Sequence, residues 1–414
     1  NIYLALIVLS LLPKSFFEAK ITPELQTQLS IVDRSEKVHA IVYMHEQYPY
    51  DKVRGLSIQD KVKIFRGIAQ TSQQALIDYL KGFPERVEGI RQFWVFNGFH
   101  LQATKDVIED IAQRSDVWCI AHNPVIELQP VKEDKPCLTI PWNIIKVAAD
   151  WCWINGYTGE GVIVGQIDTG VDTTHPALRG KFTRWYRNFG LPSPGMGTSQ
   201  AGIICGGDGF GPFEYDIGVA PNAKLVVAAV GNGGNLMDAM QWIANLKADS
   251  GVDIRAVSNG WGSSSSNSLY YWDACLTWKS LNIFPVFSIG NSGPNPRTTC
   301  VPGNYPLCIG VGATDNNDNI ASFSSRGPAP NSLPWNDPRY WYRSDWNLIK
   351  PDISAPGVNI FAAQPGGGYS TMTTTSLSAP HVTGAVAILC QANPNATVTQ
   401  LYNALVKSTD QPAQ

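Results

Sequence analysis

Val162-Ile163-Val164-Gly165-Gln166-Ile167-Asp168-Thr169-Gly170 reads as one short apolar strand running straight into a carboxylate and a turn. Its apolar residues do not alternate with polar ones, so both faces are expected to be buried, the condition of a parallel sheet. Residues 225–230, 256–258, 284–289 and 307–311 repeat the pattern. Helical stretches at residues 236–247, 271–281 and 376–391 lie between or after them, which predicts an α/β fold with helices on both faces of a parallel sheet. Chemistry in such sheets gathers at the carboxyl ends of the strands.

Upstream, residues 20–130 follow a different order: strand, helix, strand, strand, helix, strand. Residues 38–44 form an apolar, β-branched run. Ser57 with Asp60 makes a capping-box start to a helix striped by Ile58, Val62, Phe65, Ala69, Leu76 and Leu80. Asn97-Gly98 between the runs 93–96 and 99–103 predicts a two-residue hairpin turn. Thr104 is then expected to cap a short helix carrying Val107, Ile108 and Ile111, and residues 125–128 to supply a last strand. The product is a small α+β sandwich, joined by a Pro-broken linker at residues 131–143 to a main domain over 144–414. The apolar run from Ile2 to Leu12 is too short to span a bilayer and predicts an export signal over residues 1–19. No later segment reads as a membrane span.

Composition narrows the function classes. Charged residues make up 16% and the formal net charge is −3, so there is no basic field to recruit nucleic acid. Eight cysteines, at 119, 137, 152, 205, 275, 300, 308 and 390, show no C-x-x-C pair and no histidine at ligand spacing, and no metal site is expected from them. Export would permit disulfides, with Cys300 and Cys308 or Cys137 and Cys152 the nearest pairs; isolated buried thiols are the competing reading.

Three strand ends carry polar residues that the fold alone does not require. Asp168 stands in Asp168-Thr169-Gly170. This is also an aspartic-protease signature, but that mechanism needs two carboxylates sharing a proton and no second copy exists. Asn291, in Gly290-Asn291-Ser292-Gly293, offers an amide donor on a rigid strand end, where a developing oxyanion would be stabilised. Ser376 opens an apolar helix in Thr375-Ser376-Leu377-Ser378-Ala379-Pro380-His381, close to free backbone N–H groups.

Together and in this order these segments resemble the subtilisin family of serine peptidases. The resemblance covers residues 144–414 and extends to Gly159-Glu160-Gly161-Val162, His175-Pro176, Gly218-Val219-Ala220-Pro221, Asn259-Gly260-Trp261-Gly262, Phe323-Ser324-Ser325-Arg326-Gly327-Pro328 and Pro351-Asp352-Ile353-Ser354-Ala355-Pro356-Gly357. It implies a subtilisin-like sheet, with Asp168 as acid, Ser376 as nucleophile and Asn291 as oxyanion donor. It also implies that residues 20–130 are a ferredoxin-like propeptide that occupies the active-site cleft, and that Gly260, Trp261 and Gly262 pair an extended peptide substrate as an added strand. Calcium is the ion the family often binds, although no acidic cluster marks a site for it.

One position breaks the pattern. The family's general base opens a His-Gly-Thr segment, and here that segment is Met196-Gly197-Thr198. A thioether has no proton to exchange near neutral pH, so Met196 cannot activate Ser376. Of the six histidines, His39, His45, His100 and His122 lie in or near the presumed propeptide, while His175 and His381 read as structural. A second departure is Thr374, where the family has Gly; a β-branched residue there is expected to disturb the loop that aims Ser376. The expectation is a secreted, catalytically crippled serine endopeptidase homologue. An active peptidase with a base from the substrate or a rearranged loop, and a non-catalytic surface or assembly protein, stay open. The related sedolisin pattern, with a Glu base and an Asp in the oxyanion role, is disfavoured by Asn291.

Overall fold

The computed structural model describes residues 20–123, 140–188, 195–207, 216–230, 236–263, 265–343 and 347–410. The chain divides into two compact units, residues 1–124 with 332–334, and residues 125–331 with 335–414.

The first unit runs α1 (Pro23–Ile31), β1 (Lys37–Met44), α2 (Ile58–Leu80), β2 (Val87–Phe93), β3 (Gly98–Thr104), α3 (Lys105–Ile111) and β4 (Val117–His122). Its four strands form an antiparallel sheet in the order β2-β3-β1-β4. Val38, Ala40, Val42 and Met44 from β1 meet Leu25 of α1, Leu76 and Leu80 of α2, and Ile108 and Ile111 of α3 in one core. The Ser57 cap forms as expected, its hydroxyl oxygen accepting from Asp60 N–H at 3.1 Å.

Three expectations for this unit need correction. The second strand lies at β2, not at 93–96, and four residues, not two, connect it to β3. The reason is tertiary: Asn97 is buried and its amide donates to Glu46 O (2.7 Å) and accepts from Gln73 Nε2 (3.0 Å), while a Cβ on Gly98 would lie 2.1 Å from Val42 O. Thr104 occupies the cap position of α3 without capping it, because its hydroxyl donates to Asp106 Oδ1 at 2.5 Å. The fourth strand is β4, which the sequence reading overlooked; residues 125–128 lie outside the described residues, as do the expected signal at 1–19 and most of the expected linker.

The second unit opens with two short helices, α4 (Trp142–Lys146) and α5 (Ala149–Ile154). It continues β5 (Ile163–Asp168), β6 (Phe182–Asn188), α6 (Gly195–Cys205), β7 (Lys224–Val230), α7 (Leu236–Asp249), β8 (Ile254–Asn259), α8 (Trp272–Ser280), β9 (Phe284–Ser288), β10 (Ile309–Thr314) and β11 (Ile353–Pro356). A hairpin of β12 (Ile360–Ala363) and β13 (Tyr369–Met372) leads through a 3₁₀ turn (Thr375–Leu377) into α9 (Ser378–Ala392), and α10 (Val398–Ser408) ends the fold. Seven strands make one parallel sheet in the order β11-β10-β9-β8-β5-β7-β6. This is the predicted subtilisin-type α/β architecture.

Burial explains it. Every residue of β8 and β9 is buried, and β5 is buried from Val164 onward, as strands covered on both faces require. On one side Ala201 and Ile204 of α6 and Val382 and Val386 of α9 pack on Val164, Val227, Ala256, Val286 and Val311. The strands β5, β8 and β9 run parallel, so Asp168, Asn259 and the segment after β9 lie at the same, carboxyl end of the sheet, beside the point where strand order reverses. None of the described helices is long and apolar enough to cross a membrane.

Candidate active site

Asp168 is the last residue of β5 and is only 7% exposed. Its Oδ1 accepts from Thr169 N–H at 2.8 Å and its Oδ2 from Gln200 Nε2 at 2.6 Å. Burial pushes this carboxyl above the usual carboxylate range, against the pull of the Thr169 and Gln200 hydrogen bonds.

Gln200 lies one turn along α6 from Met196 and is fully buried. Its amide is held between Asp168 and the backbone of Gly260: a Cβ on Gly260 would come within 2.1 Å of Gln200 Nε2. Only glycine at 260 leaves room for that side chain. Gln200 Oε1 is buried and has no hydrogen-bond partner among the described residues.

Met196 faces elsewhere. It packs on the apolar cluster of Ile203, Ile360, Ala362 and Leu377, with Trp142 and Met372 beside it. The start of α6 is pressed against the Asp-Thr-Gly loop, since a Cβ on Gly197 would sit 2.2 Å from Gly170 O. Position 196 is therefore close to the end of β5, and an apolar side chain there is held by its own neighbours.

Ser376 is the middle residue of the 3₁₀ turn, half-buried, with Ser378 opening the helix proper. Its hydroxyl donates to Gly260 O at 2.7 Å. Asn291, three residues beyond β9, accepts from Thr375 N–H (3.0 Å) and from the Thr375 hydroxyl (2.8 Å) through Oδ1, and its Nδ2 donates to Thr374 Oγ1 at 3.1 Å. Thr374 Oγ1 also accepts from Ser376 N–H at 3.3 Å, and the Thr374 hydroxyl lies 3.5 Å from Ser376 Oγ, to which it donates.

The structure thus brings Ser376, Asn291 and Gly260 together, and sets Asp168 behind Gln200 on the other side of Gly260. Trp261 is 5% exposed, edge-on to Tyr271 and Phe287, and Gly262 is pressed on Cys300 Sγ, so Gly260-Trp261-Gly262 is a rigid backbone segment. Thr374 carries no left-handed strain: its φ of −174° and ψ of 155° are extended backbone open to any residue. What the threonine alters is the hydrogen bonding, through its hydroxyl. Gln200 was overlooked in the sequence; the only signal was an amide in the apolar run Ala201-Gly202-Ile203-Ile204.

His175 and His381 are both buried. His175 uses Nε2 on Gly368 O (2.9 Å) and Nδ1 on Ala177 N–H (3.2 Å). His381 in α9 is held by Leu377 O at Nδ1 (2.7 Å) and by Asn143 Nδ2 at Nε2 (2.8 Å). Burial lowers the His381 pKa to about 4, with the Leu377 carbonyl opposing. A depressed histidine pKa means that the unfolded chain takes up a proton which the fold refuses, so this stability is present above about 6.5 and lost as pH falls towards 4. We expect on the order of 3 kcal/mol from this group over that window. Urea unfolding of the second unit across that range should show it, and His381→Gln should flatten the slope; an equal slope in the variant would remove the attribution.

The seven described cysteines are all free. Cys275 and Cys308 approach within hydrogen-bonding reach of each other, and the expected nearest pair Cys300 and Cys308 is not joined; Cys137 lies outside the described residues. Among the described residues no three His, Cys, Asp or Glu side chains are gathered as ligands.

The sequence profile of the subtilase family matches residues 159–414. Bacillopeptidase F of Bacillus subtilis (strain 168) is 31% identical over 388 residues, 83% of this chain but 26% of that protein, so the chain spans about a quarter of that relative. Alkaline elastase YaB of Bacillus sp. (strain YaB) is 31% identical over 384 residues, 85% of this chain and 91% of the elastase. Subtilisin Savinase of Lederbergia lenta is 33% identical over 280 residues, 64% and 90% of the two chains.

Proposed function

The chain belongs to the subtilase family of serine peptidases, and from that premise we propose that it is an exported family member that binds extended peptide but cuts it only feebly. In this reading Ser376 stands at the nucleophile position, Asn291 and the Ser376 N–H at the oxyanion donors, Asp168 at the acid and Met196 at the base. Residues 20–130 are its propeptide, and Gly260-Trp261-Gly262 pairs the substrate backbone.

The observation that carries the reading is the fate of two protons. Asp168 accepts an amide hydrogen from Gln200, where a triad carboxylate would hold and orient an imidazole. Ser376 gives its hydroxyl hydrogen to a backbone carbonyl, Gly260 O, which cannot carry it away as a base would. Attack on a peptide carbonyl needs that proton removed as the C–O bond forms, and needs it returned to the leaving nitrogen. Neither Met196 nor Gln200 can do either. Substrate binding and oxyanion donors alone leave a small residual acceleration.

The test is self-processing. Protein made pure, in a host without other exported proteases, should keep its N-terminal unit covalently attached, and intact mass with N-terminal sequencing reads this directly. A new N-terminus between residues 129 and 137 under those conditions would sink the crippled-enzyme reading.

A further inference from the structure

The geometry points to Thr374 as an internal occupant of the oxyanion site, an inference that rests on the roles just proposed for Asn291 and Ser376. Two donors converge on one oxygen: Asn291 Nδ2 at 3.1 Å and Ser376 N–H at 3.3 Å both reach Thr374 Oγ1. These are the groups that would receive the carbonyl oxygen of a bound peptide. A threonine hydroxyl oxygen, like a carbonyl oxygen, offers two lone pairs, so it satisfies both donors at once.

A simple turn cap does not account for this. A cap requires only the Ser376 N–H, two residues on, and that contact is the ordinary one at the start of a 3₁₀ turn. The Asn291 amide comes from the end of another strand, 83 residues away, and it has no capping role. Its own Oδ1 is fixed by the Thr375 N–H and hydroxyl, which orients the amide so that Nδ2 reaches the Thr374 oxygen.

The circuit continues. The Thr374 hydroxyl donates to Ser376 Oγ at 3.5 Å, a long contact, and Ser376 donates to Gly260 O at 2.7 Å. The Asn291 amide, the Ser376 N–H and the Ser376 hydroxyl each already hold a partner within the chain. An incoming acyl group has to displace the Thr374 oxygen from both donors before it can reach Ser376, and that oxygen is tethered, so it competes at a high effective concentration. The backbone at 374 is relaxed, so the side chain can turn about χ1 without moving the loop. The site is closed by one rotamer.

This separates the peptide cleft from the acyl seat. Peptide can pair with the backbone around Gly260-Trp261-Gly262 while the seat stays shut, and ligands carrying a tetrahedral or anionic centre are the class selectively excluded. The experiment compares the unaltered chain with Thr374→Gly and Thr374→Ser, using acetyl-Ala-Ala-boroalanine as the probe. Its boron accepts Ser376 Oγ, with loss of the hydroxyl proton to water, and the resulting tetrahedral centre places one oxygen at the two donors.

Titration calorimetry and boron NMR should show Thr374→Gly binding at least tenfold more tightly than the unaltered chain. Thr374→Ser, which retains the hydroxyl, should stay near the unaltered value, and Asn291→Ala should remove the gain in the glycine background. Equal, measurable affinity for the threonine and glycine forms would overturn the inference while leaving the peptide-binding reading intact. Binding to none of the forms, with unchanged near-ultraviolet circular dichroism, would defeat that reading and this inference with it.

Discussion

Met196→His alone is expected to leave the protein inert, whereas Met196→His with Gln200→Val and Thr374→Gly should give a peptidase at least 10³-fold faster on an unstructured peptide. The scale is carried over from subtilisin itself, where loss of the histidine alone costs about 2 × 10⁶ in turnover. Restoring the base is not enough because its place is taken. An imidazole at 196 must donate one ring N–H to Asp168, and Asp168 Oδ2 already holds Gln200 Nε2 at 2.6 Å. The Gln200 amide fills the gap between Asp168 and the backbone of Gly260, whose carbonyl holds the Ser376 hydroxyl. Valine is shorter and apolar; it frees both the carboxylate oxygen and the space. Turnover and labelling by a serine-directed fluorophosphonate should rise together in the triple variant. Full activity from Met196→His alone would show that Gln200 yields freely and is no obstacle.

The second large effect is on stability. Lys350→Met should cost about 3–5 kcal/mol, the penalty of leaving a buried carboxylate without its cation. Lys350 Nζ is fully enclosed and donates to Asp352 Oδ2 (2.5 Å), Tyr305 O (2.8 Å) and Cys308 O (2.9 Å). Asp352 accepts in addition from Gly310 N–H (2.7 Å) and the Tyr402 hydroxyl (3.0 Å), which ties β10, β11 and α10 to one charge pair. Burial pushes the Asp352 carboxyl up and Lys350 pulls it down, so removing the lysine leaves the raising influence unopposed by charge. Chemical denaturation should show Lys350→Met with Asp352→Asn costing less than the two single changes added together. A single-variant loss below about 1 kcal/mol would mean that water reaches the site and the pair is not buried in solution.

These two sites differ in how much of them the sequence disclosed. The motif containing Asp352 was legible, but its partner Tyr402 was not, because that contact spans 50 residues. The strands β5, β7, β8 and β9 could be placed from their apolar runs alone. β6 could not: Phe182-Thr183-Arg184-Trp185-Tyr186-Arg187-Asn188 mixes charged and aromatic residues because it is an edge strand, covered less than its neighbours. The segment 93–96 failed for another reason, since Asn97 is fixed by Glu46, Ser72 and Gln73 and not by local turn geometry.

At the site itself the sequence announced Met196 and Thr374 as departures, but not the route by which the second acts. A threonine in place of glycine suggested strain, but the position is extended and unstrained, and the consequence runs through where the hydroxyl points. No sequence pattern carries that direction. Gln200 was hidden more completely. One amide in an apolar helix has no meaning until β5 lays a buried carboxylate beside it, 32 residues upstream.

The order of strands in the parallel sheet also bears on the time the chain needs to fold. The central strand β5 sits between β7 and β8, with Ile167 opposite Ala228 on one side and Asn259 on the other. Neither partner exists until long stretches of chain have been drawn in, so the entropy of closing those loops is spent before any pairing rewards it. The antiparallel unit at the N-terminus meets no such delay between β2 and β3, where Val87 pairs with Ala103 across a short connection. The remaining pairs of that unit, Lys37 with Thr104 and Tyr43 with Cys119, are as distant in sequence as those of β5, so only the β2–β3 hairpin is local. Until β5 is paired, the apolar strands β7, β8 and β9 have unfilled edges, and the yield of native protein is decided by how quickly pairing closes them against the rate at which such edges find those of other molecules.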